Sequence, residues 1–367
     1  MCPRLATFLA LLLPAFVRSG FTAEVPALFA FGDSLADVGN NNYLVTLAKA
    51  NFPPYGREFD TGKPTGRFTN GRNQIDFLAA RLGLPLLPAF MDPSTKGLAM
   101  LSGVNFASAG SGILDITNIN VGQLIQITEQ VQNFAKVKEE LVSMVGSANA
   151  TDMLSRSLFS IFTGNNDYTM TYPLTGAVSN LRFQNTLLSK LLEQTRVSVF
   201  SSLPVICLTF EPQELYNLGA RKFVIAGVGA MGCVPAQLAR YGRSSCVHFL
   251  NSPVMKYNRA LHRALTALNH ELPEAHIVYS DLYYQMMSIV QDPAPFGIKN
   301  VNDACCGVFK QIQSCVPGVP VCNDASEYYF WDAYHPSSRT CEFLVEMLYD
   351  KGPPYNFPFS VETLVRI

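Results

Sequence analysis

The chain has 367 residues, 48% of them hydrophobic, which is enough apolar surface for one large domain or two ordinary ones and excludes a disordered or fibrous protein. Its 27 Lys and Arg stand against 28 Asp and Glu, a net charge of −1, so bulk charge draws it toward neither nucleic acid nor an anionic membrane. Average Gly and Pro usage without a repeating period removes the collagen-like, solenoid and low-complexity classes.

In chain order, Arg4 precedes an apolar run from Leu5 to Val17, and small residues follow at Ser19, Gly20 and Ala23. This is the pattern of a secretory signal peptide over residues 1–23, cut between Gly20 and Ala23. The run falls short of the roughly 20 residues that a membrane-spanning helix needs. Short apolar runs at Leu28–Phe31, Val104–Ala107, Leu158–Thr163, Phe223–Ala226 and Ile277–Tyr279 read as buried strands. Between and after them, apolar spacing near 3.6 predicts helices over Gln74–Leu82, Gln123–Met144, Leu181–Glu193, Val254–Leu268 and Ser338–Tyr349. Alternating strands and helices imply an α/β fold with a parallel sheet covered on both faces. No linker or charge block divides the chain, so residues 24–367 are expected to form a single domain. One stretch breaks the rhythm: Val197–Phe210 is uncharged, contains Pro204 and is too short to span a membrane. It could be an extra strand, a buried loop, or residues absent from the mature product.

Cysteine usage fits secretion. Of nine cysteines, Cys2 lies in the leader, while Cys305, Cys306, Cys315, Cys322 and Cys341 cluster in one Gly/Pro-containing stretch and are expected to be oxidised staples. A zinc knuckle is the competing reading, but the adjacent Cys305-Cys306 pair lacks CxxC spacing. Asn149-Ala150-Thr151 is the one N-glycosylation acceptor, which places an exposed loop there.

Two cofactor signatures fail on inspection. Gly227-Val228-Gly229-Ala230-Met231-Gly232 matches the dinucleotide fingerprint, but no Asp or Glu occurs between Glu214 and Glu271 to hold a ribose, and Pro235 sits where the phosphate-binding helix should run. Gly56–Lys63 resembles a phosphate loop with the wrong spacing, and Pro64 replaces its metal-binding hydroxyl. Neither HExxH nor GxSxG occurs, so any serine chemistry must be mounted differently from the usual nucleophile elbow. No cofactor or metal is called for.

The informative segment is Phe29-Ala30-Phe31-Gly32-Asp33-Ser34, where a buried strand stops at a glycine and delivers a serine at its C-terminal end. That edge is where parallel sheets carry their sites. Serine needs a base, and the base needs an acid to orient it. Asp332 and His335, three residues apart in a loop ending at Pro336, can present both from one turn. Donors to a developing oxyanion could come from the backbone N–H groups of Ser34 and Gly110 and from the side chain of Asn166, the last two in glycine-containing turns after predicted strands.

FGDSLADVGNNN, GVNFASAGSGIL, FTGNNDY and FWDAYHPS occur in that order, and together they resemble the plant-type GDSL esterase/lipases of the SGNH hydrolase superfamily. LYNLGARKFVIAGVGAMGCVPA and NDACCGVF match that family's connecting segments, so the resemblance covers nearly the whole mature chain. It implies a flavodoxin-like three-layer α/β/α fold, Ser34 as nucleophile, Asp332 and His335 as acid and base, and Ser34, Gly110 and Asn166 as the oxyanion hole. The expected activity is hydrolysis of carboxylic esters by a secreted enzyme, its partner a small-molecule, lipid or cell-wall ester, with no nucleic acid and no membrane span after leader removal. An acyltransferase using the same acyl-enzyme and a non-catalytic binding protein retaining the fold are the alternatives.

Overall fold

The computed structural model describes residues 23–172, 180–192, 211–307 and 315–367. The expected leader up to residue 22 and the whole Val197–Phe210 stretch lie outside the described residues. At the centre is a sheet of β1 (Leu28–Gly32), β2 (Leu158–Phe162), β3 (Lys222–Ala226), β4 (His276–Ser280) and a two-residue edge strand, Asn356–Phe357. β1 to β4 pair in parallel and in that order, with Leu28 opposite Leu158, Leu158 opposite Lys222, and Lys222 opposite His276. The edge strand runs antiparallel to β4, so the sheet is mixed where the sequence implied purely parallel pairing.

The predicted strand at Val104–Ala107 does not form a regular strand, yet it runs along the free edge of β1. The Ala30 N–H donates to the Val104 carbonyl at 3.1 Å and the Phe106 N–H to the Ala30 carbonyl at 2.7 Å. Asn105 bridges to Ala30 on one side and to Ala89 on the other, so pairing is reduced to single bridges. Counted in chain order with this stretch included, the spatial order is second, first, third, fourth, fifth, that of flavodoxin-like sheets.

Both faces of the sheet are buried by alternation. Phe29, Phe31, Phe159, Ile161, Phe223, Ile225, Ile277 and Tyr279 pack in one cluster with α2 (Ile127–Val145), α4 (Asn180–Leu192) and α7 (His248–Glu271). Leu28, Ala30, Leu158, Phe162, Val224 and Val278 face α1 (Gln74–Arg81), α9 (Ser338–Asp350) and α10 (Val361–Arg366). The three-layer α/β/α expectation therefore holds within a single domain. Helix α7 begins before the predicted Val254 and carries Pro253 in its second turn, which costs one backbone hydrogen bond. Among the described residues, helices α3 (Ser147–Arg156), α6 (Pro235–Arg240), α8 (Leu282–Gln291) and the C-terminal α10 fall outside the predicted spans. A short helix α5 (Glu211–Asn217) leads into β3.

A second, two-stranded parallel sheet of β5 (Asn300–Ala304) and β6 (Tyr328–Phe330) packs beside α9. Disulfides Cys305–Cys322 and Cys306–Cys315 close the loop between those strands, and Cys233–Cys246 staples the chain after β3. Oxidation of the cluster is as expected except at Cys341, a free thiol buried in α9. Asn149 is exposed, but it lies in the first turn of α3 rather than in a loop, with its side-chain amide donating to the Val145 carbonyl at 2.8 Å.

Candidate active site

The site assembles at the C-terminal ends of β1 and β2, the point where the strand order reverses and where open α/β sheets bind ligands. Gly32 ends β1 at φ 141°, and a Cβ there would lie 2.0 Å from the Phe162 carbonyl oxygen, so the close approach of β1 to β2 admits no side chain. The Gln130 side chain from α2 reads this peptide from both sides, accepting from the Gly32 N–H at 2.8 Å and donating to the Gly32 carbonyl at 2.9 Å. The chain then turns over Asp33. Its carboxylate accepts the Leu35 N–H at 3.0 Å and its carbonyl accepts from Ala36 and Asp37, which leaves Ser34 at the partly exposed crest.

The residues after the serine form a buried clamp. Asp37 accepts the N–H groups of Gly39 at 2.7 Å, Asn40 at 2.8 Å and Ala109 at 3.0 Å. Asn40 donates to the Ala107 carbonyl at 2.8 Å, and Asn41 to the Ala109 carbonyl at 2.8 Å. Together they pin the peptides on either side of Ser108 and set up Gly110, which sits at φ 87°. Burial pushes the carboxyls of both Asp33 and Asp37 up to about 6, against the pull of the amides they accept. The block FGDSLADVGNNN carries more than the Gly32 turn and its serine. Its Asp and paired Asn were themselves the signal for this clamp, since polar residues of that kind are buried only where they find partners.

Asn166 follows β2. One hydrogen of its side-chain amide goes to the Ser111 carbonyl at 2.9 Å, and the second has no partner among the described residues. The same is true of the backbone N–H groups of Ser34 and Gly110. Asp167 holds the facing loop by accepting from the Ile113 N–H, the Leu114 N–H and the Thr117 hydroxyl.

Asp332 and His335 come from the turn between β6 and α9, closed by the Trp331 N–H donating to the His335 carbonyl at 2.8 Å. His335 Nε2 lies 2.7 Å from Ser34 Oγ, and His335 Nδ1 lies 2.8 Å from each Asp332 carboxylate oxygen. With its proton on Nδ1, the imidazole donates to Asp332 and accepts from the serine hydroxyl. Asp332 Oδ1 also accepts the N–H groups of Tyr334 at 2.9 Å and His335 at 2.8 Å, and Oδ2 accepts the Tyr55 hydroxyl at 2.7 Å. Burial alone would raise the Asp332 carboxyl, but the His335 charge and these donors outweigh it and hold the group below its usual range. The Phe68 ring, 4.9 Å from the imidazole, walls its other side.

The remaining histidines are elsewhere: His262, for example, stacks on Tyr279 at 4.8 Å. The glycine-rich turn after β3 is filled by protein. The N–H groups of Val228, Gly229 and Gly232 donate to the side chains of Asn258, Asn165 and Asn251, so they form no cradle for a pyrophosphate. Among the described residues, no helix is long and apolar enough to cross a membrane, and no group of three His, Cys, Asp or Glu is placed to hold a metal ion. Nothing in the sequence had singled out Tyr55 or Asn165.

Comparison with known proteins identifies the family. The family model described as GDSL-like Lipase/Acylhydrolase matches residues 28–348. Among curated relatives from Arabidopsis thaliana, GDSL esterase/lipase At1g71691 is 38% identical over 347 residues, covering 94% of this chain and 86% of that protein. GDSL esterase/lipase 7 is 37% identical over 351 residues, covering 93% of this chain and 92% of that protein. With the match running from β1 into α9 and relatives aligned nearly end to end, the chain belongs to the GDSL-like lipase/acylhydrolase family of carboxylic ester hydrolases.

Proposed function

We propose that the protein is a secreted serine esterase that cleaves carboxylic esters in two steps through an acyl-enzyme on Ser34. The observation that carries this reading is the unbroken hydrogen-bonded chain from Ser34 Oγ through His335 to Asp332. His335 takes the serine proton as Oγ attacks the ester carbonyl, then returns it to the departing alcohol. A water activated by His335 next attacks the acyl-enzyme, releases the acid and restores Ser34. Asp332 fixes the tautomer and stabilises the imidazolium formed in each step. The developing oxyanion is met by the N–H groups of Ser34 and Gly110 and by the free amide hydrogen of Asn166. Each such donor contributes about 10²- to 10³-fold in turnover.

Secretion is supported by the leader-like residues 1–23, by disulfides in the mature domain 24–367, and by the exposed Asn149 acceptor as a glycosylation site. The test is hydrolysis of p-nitrophenyl acetate, butyrate and palmitate by purified protein beside Ser34→Ala. Activity in the wild type and its loss in the variant is the expected result, and retention of activity in the variant removes the reading. Adding a competing alcohol and analysing the products distinguishes hydrolysis from acyl transfer.

A further inference from the structure

Tyr55 reaches the site from a loop that carries none of the four family motifs. Its side chain is 5% exposed, and its hydroxyl donates to Asp332 Oδ2 at 2.7 Å across 277 residues of sequence. The ring is fixed on three sides by edge contacts to Phe52 at 5.6 Å, Phe68 at 5.8 Å and Trp331 at 6.4 Å. It belongs to an apolar cluster that includes Cys305, Cys306 and Cys315, so the two disulfides of that loop back the same phenol. Phe68 touches both Tyr55 and the His335 imidazole.

Accounting for the carboxylate shows what this hydroxyl does. Oδ1 is satisfied by two backbone N–H groups of its own turn. Oδ2 has no backbone donor, and among the described residues only the Tyr55 hydroxyl and the imidazole reach it. Asp332 is itself 4% exposed, so water is poorly placed to replace a lost donor. Burial and the neighbouring carboxylate push the Tyr55 phenol far above its usual range, which keeps it a donor. Without that bond the imidazole is the one partner left on Oδ2 among the described residues, and no group outside the Asp332–His335 turn sets the rotation of the carboxylate about its Oδ1 tether.

We propose that Tyr55 is a positioning residue: its hydroxyl locks the Asp332 carboxylate in the plane that holds His335 aimed at Ser34. The proposal rests on the serine-esterase reading above. The Tyr55 hydroxyl bonds Asp332 and not Ser34, so its effect passes through the carboxylate and falls on turnover rather than on substrate binding.

The test is a double-mutant cycle of Tyr55→Phe and Asp332→Asn, with Ser34→Ala as reference, at a temperature where circular dichroism shows every variant folded. Two rates are read: hydrolysis of p-nitrophenyl butyrate, and phosphonylation of Ser34 by a fluorophosphonate, followed by intact mass. Tyr55→Phe is expected to lower kcat and the phosphonylation rate by about 10- to 100-fold, the range for a hydrogen bond to a charged group, with KM changed less than about twofold. In the Asp332→Asn background the same substitution is expected to change either rate less than about twofold. Equal losses in both backgrounds, or no loss from Tyr55→Phe while Ser34→Ala is inactive, overturns the proposal alone. Full activity in Ser34→Ala, or a wild type that neither hydrolyses nor labels, overturns the underlying reading and the proposal with it.

Discussion

Asn165 donates its side-chain amide to the Asp33 carboxylate at 3.1 Å and accepts the Gly229 N–H at 3.1 Å, so the residue in front of the nucleophile is tied to the turns after β2 and β3. The bond lies in a buried pocket, which is why Asp33, like Asp37, is pushed up to about 6. In the unfolded chain both carboxyls titrate near about 3.9. Between those values the folded protein binds more protons than the unfolded one, so stability rises as pH falls from about 7 toward about 4. Burial shifts Asp167 and Asp281 in the same direction, while His262, lowered by burial, opposes them. Asp332, held low, loses its contribution only below the ordinary carboxylate range. The thermal midpoint is therefore expected to be a few degrees higher at pH 5 than at pH 7. Differential scanning calorimetry at the two values checks this, and a lower midpoint at pH 5 contradicts it.

Gly32→Ala should abolish the fold. The added methyl meets the Phe162 backbone oxygen at 2.0 Å, and the residue is held at a φ of 141°. Neither atom can move without breaking the β1–β2 ladder, so the expected cost exceeds about 3 kcal/mol. Gly62→Ala is the control, since φ is 65° there but nothing lies within 4 Å of the new atom. Its cost should be only about 1–2 kcal/mol. Soluble yield and far-UV circular dichroism of the two variants report the difference.

Arg67 and Asp76 form a buried, two-pronged ion pair with N–O distances of 2.6 and 2.7 Å, their side chains 6% and 0% exposed. Arg67 also donates to the Val38 carbonyl at 3.0 Å, and Asp76 completes the cap of α1 by accepting the Asn73 N–H at 2.9 Å. Arg67→Met leaves an uncompensated carboxylate in the interior at a cost of about 3–5 kcal/mol. The thermal midpoint should fall by roughly 10 °C. A shift of one or two degrees means that the pair does not brace the loop behind Ser34.

The disulfide loop should matter for turnover as well as for stability. The Cys305 N–H donates to the Phe330 carbonyl at 3.0 Å and the Cys306 N–H to the Trp331 carbonyl at 2.7 Å, directly beneath the turn that carries Asp332 and His335. Replacing Cys305 and Cys322 together by alanine removes a link across 17 residues, worth about 3 kcal/mol. Esterase assays well below the unfolding midpoint should show a reduced kcat. Unchanged kcat with a lowered midpoint assigns the loop to stability alone.

The four parallel strands were legible because each is a continuous apolar run buried on both faces, as Phe29 and Ala30 illustrate by facing opposite helical layers. Strand β5 was not, because Asn300-Val301-Asn302-Asp303 is polar and only partly buried, and its pairing is set by the disulfide loop rather than by periodicity. Val104–Ala107 carries a strand pattern, but Asn105 turns its side chain to Asn40 and Ala36, and the ladder stops at single bridges. In the site, Ser34, Asp332 and His335 could be found because their chemistry demands those residue types at a strand end and in one turn. Tyr55 could not, since a single tyrosine in a Pro-rich loop carries no periodicity or spacing that points 277 residues ahead.

The most direct test of Ser34 as the activated nucleophile is to treat the protein with a fluorophosphonate and map the modified peptide by mass spectrometry, beside a His335→Ala variant. Stoichiometric modification of Ser34 is expected, with the rate reduced at least about 100-fold once the base is removed. Modification elsewhere in the chain, or an unchanged rate in His335→Ala, would contradict the account.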